Sequence, residues 1–442
     1  MAITEDAPGG DTKLKKSIGT WLLFFFIVGD TLGAGIYTLV GSMAADVGGA
    51  IWLPLLIALV LALLTAGTYA ELITKYPAAG GAARFAERAF KKDYLTFLIG
   101  FMMLASGITT SAALANAFAG DYLRALVDLP AVPVTLVFIG LLVAINLRGV
   151  RESLMANVGA TLIETTGLII IIVVAAIVFG RGDGDPGQLT TLADDIGLWE
   201  GAFAASVTAF FSFLGFEAAA NMAEEVKDPS RSYPRALFGA ITTAGVVYLA
   251  IAIGAAMTVP LDTLASSEGP LLEVINSSGL DFPKWLFALI ALVAIGNGAL
   301  LFMVMASRAT YGLAEARLLP SVFGRVAPSA RTPWVAILVV GAVTMGMSFI
   351  GDVGTLADTT VLLLVLVFIS ANVSCLVLKK DQVEHSHFRT PSIVSILALV
   401  ASVALLTQQD GKTWLISGCY IVGGTILFLI ARAARNREVE SA

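Results

Sequence analysis

The chain of 442 residues is poor in charge: Asp, Glu, Lys and Arg make up 14% of it. A soluble domain of this length cannot be built with so few ionisable groups, and with 57% hydrophobic residues and a mean hydropathy of +0.87 the composition is that of a helical protein crossing a membrane many times. There are two histidines and two cysteines. Cys375 and Cys419 both lie in apolar runs and read as small packing residues. His385 and His387 share one polar loop without a carboxylate pattern, so no metal site is assigned. No nucleophile stands beside a base and no phosphate-binding loop follows a strand, which excludes the common enzyme classes. Nothing indicates a nucleic-acid partner, a cofactor or an obligatory protein partner. The first 17 residues are polar and basic, and the apolar run after them is too long for a cleavable leader.

Apolar segments recur near 18–47, 51–74, 93–123, 132–148, 153–180, 201–224, 234–259, 283–312, 333–351, 355–378, 391–408 and 412–433. The expected fold is therefore an all-α membrane protein of twelve transmembrane helices. When loops are assigned alternately, four of the 27 basic residues, Arg124, Arg181, Lys284 and Lys412, fall on one side and the remaining 23 on the other. That asymmetry puts both termini in the cytoplasm, with a tail at 1–17 and another at 434–442. The outer loops at 181–200 and 260–282 are long; the second is expected to hold short surface helices, and the first either such helices or a plain connector.

Two segments are interrupted. The first carries Gly33-Ala34-Gly35 after Val28-Gly-Asp-Thr-Leu32, and the sixth carries Phe211-Ser-Phe-Leu-Gly-Phe-Glu217. Matching interruptions five segments apart point to inverted repeats, 18–180 and 201–378, with two further helices in 391–433 and a binding site at the midplane. Freed amides at the start of the outer half of the first segment suit a carboxylate, and free carbonyls ahead of the breaks suit an ammonium, so the pair fits an amino acid.

Carboxylates buried in a bilayer are costly and mark function. Asp30 lies twelve residues into the outward-running first segment, and Glu164 twelve residues beyond Glu152 on the fifth, both roughly 18 Å from the cytoplasmic face. Asn297, eleven residues before Arg308 on the inward-running eighth, lies about 16 Å from it. These three are the candidate ion or proton site, with Glu164 as the titrating member. Glu217 is expected either to face the cavity or to stabilise backbone freed by the break. Glu71, ahead of Lys75, reads as a structural carboxylate at an inner helix end, and Glu224 and Glu225 as part of a cytoplasmic gate. The run Ser106-Gly-Ile-Thr-Thr-Ser111 lines the cavity or serves close helix packing.

Five blocks in order, Val28-Gly-Asp-Thr-Leu-Gly-Ala-Gly-Ile-Tyr37, Tyr76-Pro-Ala-Ala-Gly-Gly81, Gly149-Val-Arg-Glu-Ser153, Gly215-Phe-Glu217 with Glu224-Glu-Val-Lys-Asp-Pro229, and the stretch from Ser307-Arg-Ala-Thr-Tyr311 to Pro320, resemble the signature blocks of the amino acid–polyamine–organocation superfamily, with the cationic amino acid transporter branch as the nearest pattern. The resemblance implies a leucine-transporter-type 5+5 inverted repeat plus two C-terminal helices. It also implies proton-linked uptake or exchange of amino acids by alternating access in a plasma membrane. By position, Gly33, Ala34 and Gly35 would hold the substrate carboxylate, and the carbonyls of Thr31, Phe211 and Leu214 its amino group. Ser106, Ser212 and Glu217 complete the implied substrate site. The chain departs from the family at four places. Glu217 replaces the branch's usual aspartate, and Ser106 an acid of some bacterial relatives. Glu164 stands where relatives often carry a lysine that replaces a sodium ion, and Asp30 occupies a position that tends to be small. The surplus of buried acids leans the substrate toward cationic amino acids, with neutral amino acids or polyamines, sodium coupling and exchange as alternatives. A channel or a sensor on the same scaffold is the remaining class; the polar residues cluster at one level instead of forming a stripe.

Overall fold

A computed structural model describes residues 18–77, 80–148, 150–193, 197–327 and 332–440; the tail at 1–17 and Arg331 lie outside the described residues. Helices account for almost all of it. In chain order they are α1 (Thr20–Thr31), α2 (Ala34–Val47), α3 (Trp52–Lys75), α4 (Gly81–Phe90), α5 (Asp93–Phe118), α6 (Asp121–Arg124), α7 (Ala131–Arg148), α8 (Val150–Arg181) and α9 (Leu198–Phe211). There follow α10 (Pro229–Thr258), α11 (Leu261–Ser266), α12 (Pro270–Ser277), α13 (Lys284–Glu315), α14 (Trp334–Met347), α15 (Val353–Leu378), α16 (Ser392–Leu406) and α17 (Gly411–Glu440). Among the described residues eight helices are long and apolar enough to cross a membrane, and α1 with α2 passes the same test as a broken pair bent by 41°. Three apolar helices, α9, α14 and α16, are shorter.

The inside and outside of this bundle are distinguished by packing more than by polarity. Trp21 is 75% exposed and Leu162 68% exposed, with Phe25, Leu415 and many other aliphatic side chains likewise bare. A belt of that extent is stable only against hydrocarbon. The interior is filled by α1, α3, α5, α10, α13 and α15, which pack on one another. Small residues let them approach: a methyl on Gly245 would meet Leu59 at 2.6 Å, and one on Gly107 would meet the Phe302 carbonyl at 2.9 Å.

Two details differ from the sequence expectation. Residues 81–90 form α4, an amphipathic helix that buries Ala82, Phe85 and Ala86 and exposes Arg84, Glu87 and Arg88. It was hidden because ten residues of mixed polarity read as a loop. In the 260–282 stretch, α12 is no surface helix: Leu271, Leu272, Val274 and Ile275 are buried, against α2, α8 and α10. The 181–200 stretch holds one short 3₁₀ turn, Pro186–Thr190, capped by the Asp185 side chain.

Candidate substrate and ion site

The first interruption falls slightly earlier than the glycines suggest. α1 ends at Thr31, Leu32 and Gly33 are non-helical, and Ala34 and Gly35 already belong to α2. None of Gly29, Gly33 and Gly35 adopts a positive φ. For Gly29 and Gly35 the role is steric. A methyl on Gly35 would lie 2.9 Å from Ser212 Cα, and one on Gly29 2.7 Å from Thr161 Cγ2, so these glycines bring α1 and α2 against the second break and against α8. In the second break, α9 stops at Phe211, a turn spans 212–215, and a 3₁₀ segment runs over Phe216–Glu225. Here glycine is needed for its conformation: Gly215 has φ +120°.

The two breaks and α8 and α13 enclose one cavity. Its walls include Gly29, Asp30, Thr31, Gly33, Ala34 and Gly35 from the first break, Phe211, Ser212 and Leu214 from the second, Glu164 from α8, and Asn297, Gly298, Leu301 and Phe302 from α13. Leu114 of α5 closes one side. Asp30, Glu164 and Asn297, placed at one depth by counting residues, thus share one chamber. The start of α2 has no side-chain cap, and Gly33, Ala34 and Gly35 line the cavity, so the positive end of this helix dipole lies at its wall.

The carbonyls around the breaks are partly engaged. The Tyr248 hydroxyl of α10 donates to the Thr31 carbonyl and lies 3.0 Å from the Ser212 carbonyl, so one phenol joins both interruptions. The Phe211 carbonyl accepts the Leu214 amide at 3.2 Å. Each carbonyl oxygen keeps a second lone pair for a ligand donor. The hydroxyls of Thr31 and Ser212 are buried and unpartnered.

Glu164 is fully buried and neither of its oxygens has a hydrogen-bond partner among the described residues. Its backbone is fixed instead: Tyr37 Oη donates to the Glu164 carbonyl at 2.6 Å, lying over Gly167, where a methyl would be 2.3 Å away. Tyr122 in turn donates to the Tyr37 carbonyl at 2.6 Å. Asn297 Nδ2 donates to Asn157 Oδ1 at 2.8 Å, which leaves the Asn297 amide held at the chamber wall. A buried carboxyl without a partner is costly unless it carries a proton or faces a cation.

Two residues assigned to the substrate site lie elsewhere. Ser106 is buried within α5, donates to the Met103 carbonyl at 2.7 Å, and does not line the cavity. Its register on α5 turns it into helix packing. Glu217 is also absent from the cavity wall; its Oε2 accepts the Gly215 amide at 2.9 Å and so stabilises backbone freed by the break. Glu71 pairs with Lys379 of the loop after α15 and accepts the Thr390 amide at 2.7 Å, whereas Lys75 donates to the Leu378 carbonyl at 2.6 Å. The side chains of Glu224 and Glu225 lie outside the described residues. His385 meets the Thr74 carbonyl at 3.2 Å.

Sequence reasoning missed Tyr248, Tyr37 and Asn157. A signal existed for the tyrosines: a phenol in a long apolar run must find an acceptor, and unwound backbone supplies one.

Comparison with known proteins gives the family. The chain is 25% identical to the methylthioribose transporter of Bacillus subtilis over 97% of this chain and 95% of that one. It is 22% identical to the branched-chain amino acid permease of the same organism over 96% and 95% of the two chains. It is 28% identical to the chloroplastic cationic amino acid transporter 9 of Arabidopsis thaliana, over 72% of this chain and 58% of the plant protein. The profile of the amino acid permease family matches residues 18–425. A multi-pass helical bundle, two broken helices around one cavity and a match over nearly the whole sequence agree: the chain is a transporter, not an enzyme, and belongs to the amino acid permease family of the amino acid–polyamine–organocation superfamily.

Proposed function

We propose that the protein is a proton-coupled amino acid transporter that prefers cationic substrates and works by alternating access. The observation that carries this reading is the shared chamber. Uncapped α2 amides can take a carboxylate, and carbonyls of both breaks can take an ammonium, while Glu164 and Asp30 stand beside them without a base. In this reading α9, α14 and α16 also cross the membrane, which with the eight long helices and the α1/α2 pair makes twelve spans in two inverted sets of five plus two. The asymmetry of the basic residues supports cytoplasmic termini, and a plasma-membrane location goes with this reading.

Coupling follows from charge. With Glu164 ionised and unpartnered, closing the chamber around it would strand a bare charge in hydrocarbon. A proton removes that penalty, so the substrate-loaded protein closes only with its proton aboard, which ties substrate movement to proton movement. A cationic side chain adds N–H donors for the Asp30 and Glu164 oxygens that neutral apolar amino acids lack.

The test is uptake of a labelled amino acid panel, including lysine, arginine, alanine and leucine, into proteoliposomes with and without an inward proton gradient. The expected result is gradient-driven accumulation, greatest for lysine or arginine, that Glu164→Gln abolishes while leaving exchange measurable. Accumulation that persists in Glu164→Gln removes the coupling role. A second reading, sodium in place of the proton, draws on the oxygen-rich wall formed by Asp30, Glu164 and Asn297; a sodium gradient that drives uptake at equal pH favours it.

A further inference from the structure

Gly215 is a point of close approach between the two interruptions. A methyl placed on it would lie 2.8 Å from the Asp30 carbonyl oxygen and 3.2 Å from Asp30 Cγ, so the Asp30 side chain abuts this glycine directly. The Gly215 amide itself donates to Glu217 Oε2 at 2.9 Å. One glycine is thus held between two carboxyls, one from each broken segment. Glu217 is 1% exposed and its Oε1 has no partner. Among the described residues no hydrogen bond reaches the Asp30 carboxyl, and neither acid has a basic partner. The titratable groups beside them are acidic or neutral: Glu164 of α8 lines the same cavity as Asp30, and Tyr69 of α3, whose hydroxyl is unpartnered, packs against Phe216 next to Glu217.

We propose that Asp30 and Glu217 titrate as one coupled pair at Gly215, carrying a single proton between them, and that this proton sets whether the two broken segments stay joined. Glu217 is the anion of the pair, because it has the amide donor. Asp30 holds the proton, because it has none. Two anions on either side of one glycine, with no cation within reach, repel each other and cannot both be kept out of water. When the proton leaves Asp30 for Glu164 or for water in the chamber, Glu217 is driven off the Gly215 amide and the junction parts. Glu217 is therefore a positioning residue: it acts through Asp30 and the Gly215 backbone and touches no substrate. This extends the coupling reading above from the chamber wall to the second break, but its geometry does not depend on which solute is carried.

The test reads the carboxyls themselves. Infrared difference spectra of the full-length protein in nanodiscs, without substrate, are recorded through a pH titration for wild type, Asp30→Asn and Glu217→Gln. Asp30→Asn is expected to remove one protonated-carboxyl band. Glu217→Gln is expected to keep that band and displace the pH at which it disappears by about one unit or more. An Asp30→Asn spectrum that loses no such band, or a Glu217→Gln titration that coincides with wild type, overturns the proposal. Where an amide variant does not fold, Asp30→Glu and Glu217→Asp keep both acids and should retain a single shared band; two independent bands overturn it. Because no transport is measured, a negative infrared result leaves the transporter reading standing, and failed uptake leaves the pair standing.

Discussion

Replacing Tyr248 with phenylalanine isolates one hydroxyl at the junction of the two breaks. The ring is fully buried and packs edge-on against Phe213 with centroids 5.2 Å apart, and phenylalanine keeps that contact. What is lost is the donor to the Thr31 and Ser212 carbonyls. A phenol has one hydrogen, so a single bond of about 1 kcal/mol net disappears, and buried carbonyls left short of a donor add about 1 kcal/mol more. The sum, about 2 kcal/mol, corresponds to roughly a 30-fold change in the balance between conformations with the breaks joined and parted. The assay is equilibrium binding of labelled lysine to purified protein in detergent. Since the binding-competent state has both breaks at the chamber, apparent affinity should fall by about 10–30-fold in Tyr248→Phe. A Kd within twofold of wild type, with unchanged elution on gel filtration, would refute the view that this phenol holds the two breaks together.

Gly35→Ala should reduce folded yield and abolish lysine binding, because the added methyl would sit 2.9 Å from Ser212 Cα and overpacking of this kind costs about 1–3 kcal/mol; thermal unfolding in detergent and the binding assay check both effects. Lys379→Met should destabilise by about 2–3 kcal/mol, since Glu71 is left nearly fully buried without its cation, while Glu71→Leu with Lys379→Met should recover much of the loss; thermal unfolding of the three proteins decides this. Asp381, in the loop after α15, is held below the usual carboxylate range, first by the Tyr76 hydroxyl at 2.5 Å and then by Arg88. Its lowered value means a contribution present at neutral pH and lost as the solution is acidified below about pH 4, small because Arg88 and Asp381 are both substantially exposed. A Tm that falls more steeply in wild type than in Asp381→Asn over that acidic range is the expected result.

The sequence by itself determined the class of molecule, because hydrocarbon permits so few solutions. Long apolar runs must be helices, and helices interrupted at 28–36 and 211–217 must be interrupted where protein, not lipid, surrounds them. Counting 1.5 Å per residue was enough to put Asp30, Glu164 and Asn297 at one depth, and they do share a chamber. Depth along a helix is one-dimensional information that residue spacing carries directly. Rotation about the helix and the choice of neighbour are not carried in that way. Ser106 and Glu217 had suitable depth and chemistry, yet one faces helix packing and the other its own backbone turn. Glu71 found Lys379, far along the chain, in preference to Lys75 one helical turn away. Gly29 and Gly35 turned out to be points of close approach, since a glycine's φ and its neighbours depend on which surface is pressed against it. Only the packed bundle decided that Tyr248 would bridge both interruptions and that Gly215 would separate two acids, because both arrangements arise from segments brought together by burial across about 200 residues of chain.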